Sequence, residues 1–156
     1  ADLLGKTSLA RPFSLQTVLD LMRCRNDEAT QRLASLIATE DDEKRKLALL
    51  LQYRDEYATR FRLAAKNGLG QPEWRNYQEF LDRLDAAIKQ QYQSVNLQAT
   101  HTAAGQVEWQ RQRARLKAFD TLSERHRVSE ARLELRHEQK IQDEFAARMG
   151  DHEQEQ

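Results

Sequence analysis

Histidine, cysteine and clustered carboxylates are the side chains here that could bind a metal or move a proton. The four histidines, His101, His126, His137 and His152, share no helical face with carboxylates at ligand spacing, and the nearest pair, His126 and His137, stands eleven residues apart. They read as solvated helix residues. Cys24 is the single cysteine, so it has no partner for an internal disulfide and no second thiol for a metal site, as expected in a reducing cytoplasm. Asp20, Asp27 and Glu28, or the run from Glu40 to Glu43, have the form of paired carboxylates. On helices such runs are solvated faces with i,i+4 partners. There is no phosphate loop, nucleophile elbow or metal motif. The expectation is a protein with no catalytic site, metal or cofactor, hence not an enzyme.

Charge is the other chemical resource. Arg111, Arg113, Arg115, Lys117, Arg125, Arg127, Arg132, Arg136 and Lys140 face five acids in the same stretch, Asp120, Glu124, Glu130, Glu134 and Glu138, a local excess of about four positive charges of the kind that can attract phosphates. The acids interleave with the bases, and no aromatic residue follows Phe119 within the stretch to stack on bases. Docking to an acidic protein groove is therefore expected ahead of nucleic-acid binding.

The elements that position these groups follow from composition. The chain has 156 residues, 32% charged and 39% apolar, with 5 Gly, 2 Pro and a mean hydropathy of -0.88. An all-β domain would need turn residues far more often, and 7% aromatics leave little to fill a compact core. An all-α, elongated helical protein fits. Lys+Arg and Asp+Glu balance at 25 each, so no global field attracts nucleic acid or an anionic membrane; such binding would need a local patch. No apolar run approaches the roughly 20 residues of a membrane span, and no basic, then apolar, leader opens the chain. The expectation is a soluble cytoplasmic protein.

Punctuation is sparse. Residues 1–11 read as a flexible lead-in, with Pro12 or Ser14 opening the first helix. Nothing then interrupts the chain until Asn67-Gly68-Leu69-Gly70-Gln71-Pro72, which offers two glycines for left-handed dihedrals and a proline to open a second helix. That helix runs to about Met149, with a bend or loosening expected around Thr100–Gly105 because an interior glycine costs about 1 kcal/mol against alanine. Residues 150–156 read as a disordered tail. The organisation expected is one coiled-coil domain over 12–149 with its turn at 67–72.

Steps of three and four give a heptad seam through Leu15, Leu19, Met22, Asn26, Ala29, Leu33, Leu36, Glu40, Glu43, Leu47, Leu50, Arg54, Tyr57, Phe61 and Ala64, most of them apolar. Its charged middle, Ala38 to Lys46, predicts a loosely held partner. The second helix continues with Tyr77, Leu81, Leu84, Ile88, Gln91 and Val95, and again at Trp109, Leu116 and Phe119. Beyond Phe119 the apolar residues Val128, Ala131, Leu135, Phe145 and Met149 fall on a shifted stripe, as a stutter would place them. Two such helices form a long antiparallel two-helix coiled coil, with the second expected to overhang the first.

Beside the seam, Tyr53 occupies a flank of the first helix, and Phe80 and Ala87 the same flank of the second. A turn near residue 69 sets Tyr57 opposite Leu81 and Tyr53 opposite Leu84. Leu50, Tyr53, Tyr57, Phe80, Leu84 and Ala87 then form one apolar patch, either a thickening of a thin core or an interaction surface.

The segments LALLLQYRDEYATRF, WRNYQEFLDRLDAAIKQQ and RLKAFDTLSERHRVSEARLELRHEQKIQDEFAAR, preceded by LQTVLDLMRCRNDEATQRL, resemble the flagellar FliJ family over residues 13 to 148. The resemblance implies a coiled-coil component of the flagellar type III export apparatus, serving flagellum biogenesis and motility. Members of that family are similar in shape to the stalk of rotary ATP synthases. They insert paired terminal ends into the hexameric export ATPase, link it to the cytoplasmic domain of the membrane export gate, and bind export chaperones. Carried over, the gate contact falls on Leu50, Tyr53, Tyr57, Phe80, Leu84 and Ala87, with departures at Lys46, where an amide is expected, and Gln91, where an imidazole is expected. Arg125, Arg127, Arg132, Arg136 and Lys140 are the candidates for contact with the ATPase pore. The implied location is cytoplasmic and peripheral to the membrane at the flagellar base, without membrane insertion and without nucleic acid. An injectisome stalk, a coiled-coil adaptor unrelated to secretion and an RNA-binding helical hairpin share the composition.

Overall fold

The computed structural model describes residues 3–155, with side chains from Leu15 to Glu155. Among these residues there is no strand. The elements are α1, Leu3–Lys66, of 64 residues, and α2, Gln71–Gln154, of 84 residues. α1 begins ahead of Pro12 and Ser14, so neither marks its first turn; Leu3, Leu4, Leu9, Ala10 and Arg11 are all good helix formers. α2 likewise passes Gly150, whose cost near a helix end is small.

The turn follows from glycine and proline chemistry. The amide of Asn67 donates to the carbonyl of Ala64 at 3.2 Å and that of Gly68 to Ala65 at 3.3 Å, closing α1. Gly68 takes φ of 84°, and it alone of the two expected glycines is left-handed among the described residues, as a helix C-terminus requires. The Gly70 carbonyl accepts from the Trp74 amide at 3.1 Å, opening α2 with Pro72 in its first turn, where a missing N–H removes no helical bond.

Contacts divide the chain into two compact units. The turn-containing unit, Asp27–Arg111, pairs α1 with α2 in antiparallel sense. Phe61 stacks on Trp74 and Tyr57 on Tyr77, Arg54 pairs with Asp85 at 2.5 Å, Gln91 bonds Glu43, Gln98 bonds the Leu36 carbonyl and Trp109 bonds Thr30. Numbers rise along α2 as they fall along α1. Ala29, Leu84 and Ile88 are buried in this unit. In the terminal unit, Ala1–Asn26 with Gln112–Gln156, Leu19, Met22 and Gln112 are buried, and Arg23 pairs across the helices with Asp120 at 3.8 Å.

Every seam position expected in α1 is buried or half-buried except Arg54, which reaches sideways to Asp85. In α2 the 3–4 spacing persists through Gln98, Thr102, Gly105, Trp109, Gln112, Leu116, Phe119, Ser123 and His126, all buried or half-buried. The expected stutter is therefore absent: Val128, Ala131, Leu135, Phe145 and Met149 are exposed, as is every residue from Arg127 to Glu155. Hydropathy missed the seam there because it is built of small and polar side chains.

The loosening expected at Thr100–Gly105 is not seen. α2 is continuous there, and a Cβ at Gly105 would overlap Cδ1 of Leu36. Glycine is present to admit the Leu36 side chain. The Leu36 carbonyl accepts from Gln98 Nε2 at 3.4 Å and lies 3.3 Å from Thr102 Oγ1, whose single proton it shares with the Gln98 carbonyl at 3.1 Å, so polar contacts hold the helices close around that notch.

Candidate functional site

The apolar patch lies wholly in the turn-containing unit. Leu84 is buried at 9% exposure, Leu50, Tyr57 and Ala87 are half-buried, and Tyr53 and Phe80 stand out at 51% and 42%. Tyr57 is the brace: its ring centroid lies 4.1 Å from that of Phe80 and 5.3 Å from that of Tyr77. Tyr77 in turn lies 5.3 Å from Phe61, which stacks on Trp74 at 4.8 Å. Aromatic pairs in such tilted arrangements add about 0.5–1.5 kcal/mol each beyond area burial, so Phe80 is held in place while half of it faces solvent.

Tyr53, Tyr57, Phe80 and Leu84 line one surface groove of about 330 Å³, together with Glu56 and Arg60. Leu50, on the seam, and Ala87, on the flank, are half-buried and do not line it. The core reading and the surface reading of the patch thus apply to different members: Leu84 packs inside, Tyr53 and Phe80 present themselves. Glu56 and Arg60 were missed in the sequence because a hydropathy pattern carries no sign of a charged rim on an apolar groove.

Lys46 and Gln91, the two positions that depart from the expected pattern, meet on a single carboxylate. Gln91 Nε2 donates to Glu43 Oε2 at 2.6 Å and to the Glu43 carbonyl at 2.9 Å, and Lys46 Nζ lies 3.3 Å from Glu43 Oε1. The charged middle of α1 is therefore pinned by a specific polar contact, the kind that sets register in a coiled coil. These bonds, the one from Gln91 first and the one from Lys46 second, hold the Glu43 carboxyl below its ordinary value. A depressed carboxylate contributes stability above its unfolded-state value and loses it as pH falls through the folded one. Glu43→Gln is expected to lower the thermal midpoint at neutral pH, and the gap to the parent should close in acid; circular-dichroism melts across that range check it.

The basic stretch belongs to the terminal unit. Arg125, Arg127, Arg132, Arg136 and Lys140 are all exposed. Arg127 is engaged by Glu124 at 2.6 and 3.2 Å, and its guanidinium lowers the Glu124 carboxyl. Among the described residues no ion pair reaches the other four. Arg125 and Arg132 line a shallow groove of about 330 Å³ with Glu124, Val128 and Ser129. His126 sits 3.6 Å from Glu130. Among the described residues no three His, Cys, Asp or Glu side chains stand where a metal could bind, and no helix is long and apolar enough to cross a membrane.

A family model described as "Flagellar FliJ protein" matches residues 12–155. The chain belongs to the FliJ family. It is 29% identical over 140 residues to the flagellar FliJ protein of Salmonella typhi, covering 90% of this chain and 95% of that one. The flagellar FliJ protein of Escherichia coli (strain K12) matches to the same extent, 29% over 140 residues. The groove and the basic stretch both fall inside the part of the chain that aligns with the FliJ family.

Proposed function

We propose that this FliJ-family chain is a non-enzymatic component of the flagellar type III protein export apparatus. It acts as the central stalk of the hexameric export ATPase, couples that ring to the export gate, and escorts export chaperones. Family membership supports the flagellar assignment, and the flagellar names of both relatives favour it over an injectisome stalk. The observation that carries the coupling role is the groove of the turn-containing unit, where the exposed rings of Tyr53 and Phe80 stand beside buried Leu84 and half-buried Tyr57. Exposed aromatic anchors beside a pocket are what binding hot spots are made of.

In this reading the gate's cytoplasmic domain takes the groove of the turn-containing unit, and the ring takes the terminal unit. Hydrolysis belongs to the ring. A single asymmetric helix pair in a six-fold pore contacts the subunits unequally, and that inequality is what the gate-bound end can report. Arg125, Arg132, Arg136 and Lys140, with Arg127 beside Glu124, supply the electrostatic contact with the pore lining.

Co-purification with the export ATPase and the gate's cytoplasmic domain tests the assignment; retention on RNA in their place would contradict it. Reversing charge at Arg132 and Arg136 together is expected to reduce ATPase stimulation more at about 0.05 M than at about 0.5 M salt, since screening already weakens the contact in the latter. An unchanged stimulation curve would remove these residues from the pore contact.

A further inference from the structure

Apart from Arg60, which also borders the aromatic groove, the turn carries chemistry that the gate and pore contacts leave unused. Between Arg60 and Arg75 there are four basic residues, Arg60, Arg62, Lys66 and Arg75, against the single acid Glu73, a net charge of +3 in a chain whose total is zero. All four are exposed, and no ion pair reaches them among the described residues. Among them stand Leu63, 57% exposed, and Trp74, 45% exposed. Trp74 is not loose: its ring rests on Phe61 at 4.8 Å and 53°. Leu69, Gln71, Trp74 and Arg75 border one concavity of about 380 Å³.

A half-exposed indole braced by Phe61, two leucines and four exposed cations without an ion pair among the described residues, all within the turn segment of a helix pair, is a specific combination. Indole prefers the boundary between headgroups and acyl chains. Cations within a Debye length of an anionic bilayer are attracted to it, and leucines gain by entering the hydrocarbon edge. Nucleic acid would exploit the cations but has no use for the leucines, and a lone exposed ring at the turn offers no succession of stacking platforms. A protein partner would need about 800 Å² per side for a stable interface, whereas a few side chains suffice to seat on a bilayer.

From this we infer that the turn of the helix pair, residues 60–75, docks on the surface of a membrane rich in anionic phospholipid, with Trp74, Leu63 and Leu69 in the headgroup boundary and Arg60, Arg62, Lys66 and Arg75 on the phosphates. The docking is peripheral, and it stands independently of the export reading.

The full chain is mixed with vesicles of equal parts phosphatidylglycerol and phosphatidylcholine, or of phosphatidylcholine alone, and sedimented. It is expected to bind the anionic vesicles and not the neutral ones, and to be released by salt. In a Trp109→Phe background, where Trp74 is the only indole, emission should shift to the blue on binding. Arg62→Gln and Lys66→Gln are each expected to weaken binding about fivefold. Both side chains are exposed, so unchanged far-UV circular dichroism keeps the comparison clean. Failure to bind anionic vesicles, equal binding by these variants, or turn-dependent capture of an RNA oligonucleotide without vesicle binding would each overturn the proposal. The gate and ATPase contacts would stand unaffected.

Discussion

Replacing Tyr53 and Phe80 together by alanine is expected to weaken binding to the export gate's cytoplasmic domain roughly a thousandfold, while the protein stays helical. The size follows from hot-spot energetics: a truncated aromatic anchor in a desolvated pocket costs about 2 kcal/mol or more, and such costs fall on few residues. The two side chains do not report equally. Phe80 stacks on Tyr57 at 4.1 Å, so its loss also costs about 1 kcal/mol of folding stability. Tyr53 is half exposed, and no ring stack involves it among the described residues. Tyr53→Ala alone should therefore leave the melting midpoint within about 2 °C of the parent, as surface substitutions do. Titration calorimetry gives the affinity and a thermal melt the control. A Tyr53→Ala protein that melts much earlier would make Tyr53 a core residue; one that binds the gate domain as the parent does would remove the groove from the contact.

The second large effect is expected at Gly105. A single added Cβ there already overlaps Leu36 Cδ1 and approaches Leu33 Cδ1 at 3.9 Å. Gly105→Leu forces the helices apart and strains the bonds from Thr102 and Gln98 to the Leu36 carbonyl. Overpacking of a fitted site costs about 1–3 kcal/mol, and the rest of the new side chain would have to be housed where the Leu36 and Leu33 side chains already lie. Helix propensity works the other way by up to about 1 kcal/mol, so a net loss is the signature of the notch. Urea denaturation should show a lower midpoint for Gly105→Leu; a higher one would mean that propensity alone governs this position.

The same residues explain how much of the molecule could be read in advance. Long helices followed from the scarcity of Gly and Pro, and the turn from Gly68, Gly70 and Pro72 clustered together. The seam of α1 was legible where leucines mark it, and even through Glu40 and Glu43, because spacing persists when polarity changes. In α2 spacing was harder to follow, since Gln98, Thr102, Gly105, Gln112, Ser123 and His126 occupy seam positions without apolar signal. A reading weighted on hydropathy jumped instead to Val128, Leu135 and Phe145, which are exposed. Gly105 was misread for a related reason: propensity counts its cost to one helix, while the close approach of a neighbour is visible only in three dimensions.

At the candidate site, heptad geometry alone brought Tyr53, Tyr57, Phe80 and Leu84 to one flank, and the groove they line follows. Three things were out of its reach. The bracing of Tyr57 by Tyr77 depends on ring orientation, the charged rim of Glu56 and Arg60 on rotamers, and the meeting of Lys46 and Gln91 on Glu43 on the register between helices. Each is a contact between residues distant in the chain or free to choose a conformation, which a pattern of spacings does not encode.

Site-specific crosslinking tests the assignment of the groove most directly. A photoreactive benzoylphenylalanine is placed at Tyr53 in one protein and at Tyr92 in another, the latter an equally exposed tyrosine of α2, at 48%, outside the groove. Both proteins are expressed in flagellated cells and irradiated. The Tyr53 probe is expected to yield an adduct with the export gate's cytoplasmic domain, and the Tyr92 probe none. An adduct from Tyr92 alone, or no gate adduct from a Tyr53 probe protein that still supports motility, would contradict the account.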